Sequence, residues 1–219
     1  MPLSTVDWPD QLAAVVFTRG CPWDCPYCHN PHLISAALDG SEPAWDEVRA
    51  FLRTRIGLLD GVVFSGGEPT VQRCLSDAMH ETRAMGFEVA LHTGGPSPER
   101  LNEVLPLVDW VGFDVKAPFD EYERVTRVAD SGGRARASLR ALVASGTPFE
   151  ARTTVHPDLL DGDALNLIAD ELRAEGVAHW VLQPCRSEGT RERLSGARFY
   201  PGDVPEGLGD GFESFLVRG

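Results

Sequence analysis

Short apolar runs alternate along this chain with longer stretches in which apolar residues recur at helical spacing. The runs at 12–17, 62–64, 87–91, 110–115, 149–155 and 178–182 read as strands. In 44–59, Val48, Phe51, Leu52, Ile56 and Leu59 fall on one helical face, with Pro43 placed for a first turn. Residues 71–85 read as a helix closed by Gly86, and 97–107 as a short helix opened by Ser97-Pro98-Glu99. Helices are also expected over 134–144 and over 161–175, where Ala164, Leu165, Ile168 and Leu172 make the apolar side. Asp39-Gly40-Ser41 reads as a turn, and 117–131 as a helical excursion. After Thr190 the periodicity fades, and 201–211, rich in Gly, Pro and Asp, reads as irregular.

Strand and helix alternating in this way predict a parallel sheet. Six such units are too few for a closed eight-stranded barrel. The expected fold class is α/β, a partial, laterally open (β/α)6 barrel. No break in composition marks a second domain, so 1–219 reads as one domain, with a core of about 12–183 and an irregular tail of about 190–219.

Charge narrows the partners. Lys plus Arg number 20 and Asp plus Glu 33, a formal net charge of −13, which argues against a nucleic-acid partner. No 18-residue apolar run is present and residues 1–11 are polar, so no membrane association is expected and a cytoplasmic location is the default. Five cysteines are too few for a disulfide framework in a chain of this length. Cys74 and Cys185 stand apart and read as small buried side chains.

The other three, Cys21, Cys25 and Cys28, share one loop after the first strand with the spacing C-x3-C-x2-C. Three thiolates on a tight loop suit a soft metal centre. They leave open a zinc site completed by His29 or His32, or an iron–sulfur cluster with one iron free. Other polar or glycine-rich elements also fall at strand ends: Gly66, Gly67, Glu68 and Pro69; His92 to Gly95; Asp114 to Lys116; Arg152 to Thr154; and Gln183. In parallel α/β folds that rim is where ligands bind, so these elements describe one pocket. Read singly, each has a plainer meaning. Gly66-Gly67 is a turn, Asp114 and Lys116 are a salt bridge, and Arg152 is a partner for Asp114.

The cysteine motif, taken with Ser65-Gly66-Gly67-Glu68-Pro69, resembles the radical S-adenosylmethionine (SAM) superfamily. Within it, four stretches resemble the activating enzymes of glycyl radical enzymes: Val6-Asp7-Trp8-Pro9, Tyr27-Cys28-His29-Asn30-Pro31, Asp114-Val115-Lys116-Ala117-Pro118 and Arg152-Thr153-Thr154-Val155. The nearest resemblance is to the anaerobic ribonucleoside-triphosphate reductase activating proteins.

That resemblance implies a [4Fe-4S] cluster on Cys21, Cys25 and Cys28, with the remaining iron open to the methionyl end of SAM. Reductive cleavage of SAM to a 5′-deoxyadenosyl radical would then install a glycyl radical on anaerobic ribonucleotide reductase, with flavodoxin or ferredoxin as electron donor. It also implies that Gly66 and Gly67 contact the methionyl end, that Glu68 receives its ammonium or fixes the loop, and that Pro69 stiffens the turn. Tyr27 would lie beside the adenine, with backbone groups of Tyr27, Cys28 and His29 presenting hydrogen bonds. Lys116 and Arg152 would meet the SAM carboxylate, Asp114 a monovalent cation or the ribose, and Gln183 the ribose. His92 departs from the family, which carries an aspartate there, and that puts the cation in doubt. The alternative is an enzyme acting on a small molecule, such as a 7-carboxy-7-deazaguanine synthase, or an activase of another glycyl radical enzyme.

Overall fold

The computed structural model describes residues 3–38, 40, 42–186 and 188–218. Of the turn expected at 39–41, Asp39 and Ser41 lie outside the described residues. Among the described residues, eight strands form one sheet in sequence order: β1 (Leu3–Ser4), β2 (Ala13–Thr18), β3 (Gly61–Gly66), β4 (Glu88–Thr93), β5 (Trp110–Asp114), β6 (Phe149–Val155), β7 (His179–Pro184) and β8 (Ser214–Val217). β1 is antiparallel to β2, and every later pairing is parallel. The helices that return the chain are α1 (Trp45–Arg53), α2 (Leu75–Ala84), α3 (Pro98–Val104), α4 (Tyr122–Thr126), α5 (Ser131–Ser145) and α6 (Gly162–Ala174). This is the expected α/β architecture, an open, mostly parallel sheet flanked by helices.

Helix ends follow local chemistry. The Glu47 carboxylate accepts from the Ala44 N–H (2.8 Å) at the start of α1, and Asp161 accepts from the Ala164 N–H (2.9 Å) at the start of α6. The excursion expected over 117–131 is a 3-10 turn, Phe119–Glu121, running into α4.

Register gives the sheet two unlike faces. Val62, Phe64, Leu91, Phe113 and Leu182 belong to the large core under the helices, with Leu52, Leu139 and Leu165. Each such buried side chain contributes about 1.5–3 kcal/mol. The opposite, inner face carries a small cluster of Ala13, Val15, Val63 and Ala90, closed by Trp8, whose ring stacks 6.2 Å from that of Trp110. Continuing along the same face toward the C-terminal strand ends, the residues turn polar: Ser65, His92, Asp114, Arg152 and Thr154. The site lies on that polar half.

The tail expected to be irregular ends in β8, which pairs with β7 from His179↔Ser214 to Leu182↔Val217. Phe212 and Phe215 anchor it, their rings 5.4 and 5.3 Å from that of the buried Trp180. A four-residue strand after a Gly- and Pro-rich stretch is too short for periodicity to reveal.

Candidate active site

The cysteine loop leaves β2 and folds against its neighbours through backbone bonds. Gly20 N–H donates to Leu33 O (2.7 Å), Cys21 N–H to Ile34 O (3.0 Å) and Asp24 N–H to Thr126 O (2.9 Å). A strap from the C-terminal segment crosses its outer side, with Arg191 N–H on Cys28 O and Glu192 N–H on Pro26 O, both 3.0 Å. Ion pairs of Arg191 with Asp24 and of Arg127 with Glu192 tie the strap down. Cys21, Cys25 and Cys28 all reach the wall of one cavity of about 200 Å³ at the strand ends.

The expected [4Fe-4S] cluster, and with it the expected monovalent cation, is corrected by the geometry. Among the described residues no three Cys, His, Asp or Glu side chains gather as a ligand set. Cys25 packs in the apolar core beside Trp23 and Tyr27. Burial pushes the Cys21 thiol up to about 12 and raises the Cys25 thiol as well.

The loop after β3 forms the next wall. Gly66 sits at φ +114°, and a Cβ there would fall 2.4 Å from Thr18 N; at Gly67 it would fall 2.4 Å from Gly20 O. Gly66 therefore lets the ends of β2 and β3, and Gly67 the loops that follow them, touch backbone to backbone, and the remaining atoms of both line the cavity. Glu68 is buried, and its Oε1 accepts from Thr70 N–H (3.1 Å), Thr70 Oγ1 (2.7 Å) and Thr93 Oγ1 (2.7 Å). Its Oε2 accepts from Gly94 N–H (3.0 Å). It fixes the loop after β3 to the end of β4. Pro69 opens the 3-10 turn Pro69–Val71 and does not line the cavity.

Lys116 supplies the cation. Its Nζ lies 3.1 Å from Asp114 Oδ2, 5.8 Å from the Trp23 ring centre and 5.7 Å from that of Tyr27. Burial, the largest single effect, works against the ammonium, but Asp114 together with Tyr27, Cys25 and Tyr122 outweighs it, and the Lys116 pKa stands well above its ordinary value. Tyr122 holds this segment, donating to Asp114 O (3.2 Å) and accepting from Lys116 N–H (3.0 Å). Tyr27 is buried and lines the cavity, as does His29, whose Nε2 lies 2.8 Å from Arg186 O.

Arg152 and Gln183 fall outside this cavity. Arg152 is buried, with Nε on Glu150 Oε1 (2.7 Å), Nη1 3.0 Å from His92 Nε2, Nη2 on Asp7 O (3.0 Å), and its guanidinium 4.9 Å from the Trp110 ring centre. Gln183 opens into an adjoining cavity. His92 does line the main one. Burial, and then the Arg152 charge, lowers its pKa from 6.5 to about 4. An unfolded chain takes up this proton first, so stability is lost as pH falls from 6.5 through 4. Acidification across that window is expected to cost about 2.5 kcal/mol at this residue. Denaturant titrations at both ends should show the loss, and His92→Asn should reduce it; an unchanged slope would refute the assignment.

A family model described as the radical SAM superfamily matches residues 15–170. The chain belongs to the radical SAM superfamily. It is 31% identical over 180 residues to a putative glycyl-radical enzyme activating enzyme of Methanocaldococcus jannaschii, covering 78% of this chain and 72% of that one. It is 30% identical over 164 residues to a 7-carboxy-7-deazaguanine synthase of Thermococcus kodakarensis, covering 64% and 63%. Among solved structures, Streptococcus suis SuiB bound to its precursor peptide SuiA superposes with a TM-score of 0.72 at 12% identity. That match takes in 94% of this chain and 48% of SuiB, so the chain spans about half of that relative and shares its fold. No helix among the described residues is long and apolar enough to cross a membrane.

Several wall residues of this radical SAM chain fall within the stretches read from sequence as the pocket rim or its motifs, without a role having been assigned to them there. Trp23 lies inside the cysteine motif and Gly94 directly opposite it, where a Cβ would fall 2.2 Å from the Trp23 ring. Thr93 serves Glu68, and Ser65 and Thr154 line the cavity. The position of Ser65 and Thr154 on the same sheet face as Asp114 was the signal available in the alternation of each strand.

Proposed function

We propose that this radical SAM enzyme binds SAM in the cavity at the strand ends and acts on a protein, as the activase of a glycyl radical enzyme. The carrying observation is Lys116, an ammonium set between two aromatic rings at the rim, where a carboxylate from the methionyl end would complete its pairing. Bound SAM supplies a 5′-deoxyadenosyl radical when one electron breaks its carbon–sulfur bond. The chain's own groups hold and orient it: Lys116 at the carboxylate, backbone groups of the loop from Tyr27 to His29 at the adenine, and the loop pinned by Glu68 at the methionyl end. A flavodoxin or ferredoxin is the proposed electron source.

The relative from Methanocaldococcus jannaschii supports a glycyl radical enzyme as substrate, without singling out the ribonucleotide reductase expected from sequence. Lys116→Met should weaken SAM binding by about tenfold or more in calorimetric titration. The protein, given SAM, reduced flavodoxin and a candidate glycyl radical enzyme, should raise a glycyl radical signal in electron paramagnetic resonance. SAM cleavage with no such signal from any candidate would defeat the activase reading. The match to a 7-carboxy-7-deazaguanine synthase favours a small heterocyclic substrate as the second reading.

A further inference from the structure

The strap that crosses the cysteine loop runs from Gly189 to Gly196 and is tied down at two places. At the loop, the Arg191 N–H donates to Cys28 O and the Glu192 N–H to Pro26 O. Three ion pairs reinforce those bonds: Asp24 with Arg191, Asp24 with Arg127 at 3.7 Å, and Arg127 with Glu192, where Nη2 donates to Oε2 at 2.7 Å. Further on, Ser195 donates its N–H (2.8 Å) and its hydroxyl (2.6 Å) to Asp158, in the turn after β6. Leu194, the one apolar side chain of the strap, is half-buried against the core. Gly189 lies at φ +80°, and a Cβ added there or at Gly196 would meet nothing within 4 Å. A segment held by half-exposed polar contacts, with little apolar burial and a glycine at each end, opens at far lower cost than the sheet beneath it.

What the strap holds is a wall of the main cavity. Tyr27, Cys28 and His29 line that cavity, whereas no residue from 189 to 196 does. The strap takes up the carbonyls of Pro26 and Cys28, and the Tyr27 and His29 N–H groups have no partner among the described residues. Arg127 ties the same loop to α4. It sits at the C-terminal end of that helix at φ +60°, a conformation uncommon outside glycine, and the carbonyl just before it, Thr126 O, receives the Asp24 N–H. Strap, cysteine loop and α4 therefore meet in one network of charges centred on Asp24 and Arg127.

We propose that residues 189–196 form a hinged latch on the cysteine loop, and that closure of the latch and SAM in the main cavity favour one another. The proposal rests on the reading that SAM binds there. A closed strap fixes the backbone from Tyr27 to His29, so the free N–H groups are already in place when the adenine arrives. SAM bonded to those groups holds the loop, in turn, where the strap closes on it. Such coupling is reciprocal. The factor by which SAM suppresses opening of the strap is the largest loss of SAM affinity that opening the strap can cause.

Hydrogen exchange of the full chain, read by mass spectrometry with and without saturating SAM, provides the test, alongside calorimetric titration of SAM. The Arg191 and Glu192 amides should exchange about fivefold more slowly with SAM, although the strap does not border the cavity. The double variant Arg127→Gln with Arg191→Gln removes all three ion pairs. Without SAM its strap should exchange about fivefold faster than that of wild type, and its SAM affinity should be about threefold weaker. Arg127→Lys with Arg191→Lys keeps the charges and should stay within about twofold of wild type. Both positions are exposed, so these variants should fold. SAM binding that leaves strap exchange unchanged would overturn the proposal. So would a glutamine variant whose strap exchanges no faster, or one whose strap opens while SAM affinity holds, or a lysine variant as impaired as the glutamine one. If SAM does not bind the wild type, the SAM reading fails and the latch with it; if SAM binds and the strap does not respond, the latch alone fails.

Discussion

Gly94→Ala is expected to destabilise the protein by about 3 kcal/mol, although it adds a single methyl group. The added Cβ would fall 2.2 Å from Cζ3 of Trp23 and 2.9 Å from its Cη2. The ring has little room to retreat. Trp23 is 3% exposed, meets Tyr122 edge to face at 5.8 Å, and has the Lys116 ammonium on its face. The strand end that carries Gly94 is held as well, since its N–H is bonded to Glu68. Relief must come from moving either the cysteine loop or the end of β4, and both form walls of the cavity. Urea unfolding measures the loss, and SAM affinity should fall with it. In Trp23→Leu, where the obstructing ring is gone, Gly94→Ala should cost much less, a coupling that a double-mutant cycle isolates. A cost below about 0.5 kcal/mol in the wild-type background would show that the Trp23 ring moves freely.

Much of this arrangement was legible in the sequence because it is local. Runs such as 62–64 and 87–91 are bounded by glycine and turn residues, so the order of strands and helices follows from periodicity. Once the strands are parallel, their C-terminal ends must share a rim, and that brings the cysteine loop, Gly66 to Glu68, Asp114 and Lys116 together. Arg152 shows where this reasoning stops. Its place near a strand end suggested the pocket, but its guanidinium turns to Glu150 on its own strand, to His92 on β4 and to a backbone carbonyl near the N-terminus. Only tertiary contact decides among such acceptors for a long side chain. Gly66 and Gly67 teach a related lesson. Their spacing marks a close approach, and the structure shows that the approaching group includes the protein's own backbone. The three cysteines mark the same limit from the other side. Sequence spacing brings them onto one loop, while the packing of Cys25 against Trp23 and Tyr27 decides how their side chains sit.

Removing the Glu68 side chain is expected to have the largest effect, about 4 kcal/mol for Glu68→Ala. The carboxylate accepts four hydrogen bonds, two from the hydroxyls of Thr70 and Thr93 and two from the backbone N–H groups of Thr70 and Gly94. The hydroxyls can rotate toward other acceptors, but the two N–H groups are fixed by the backbone, and each buried donor left without a partner costs about 1–3 kcal/mol. Glu68→Gln separates this effect from simple loss of volume. An amide oxygen in place of Oε1 keeps three of the bonds, while the amide nitrogen then faces the Gly94 N–H, so the cost should be about 1–2 kcal/mol. The two variants also differ from wild type in pH dependence. Burial raises the Glu68 pKa above 4.5, against the pull of its four donors. Above pH 4.5 the unfolded chain has released this proton while the native chain still holds it, so stability falls as pH rises toward the native value. Neither variant can show that slope. If Glu68→Ala instead proves as stable as Glu68→Gln, the loops after β3 and β4 are held by something other than this carboxylate, and the cavity does not depend on it.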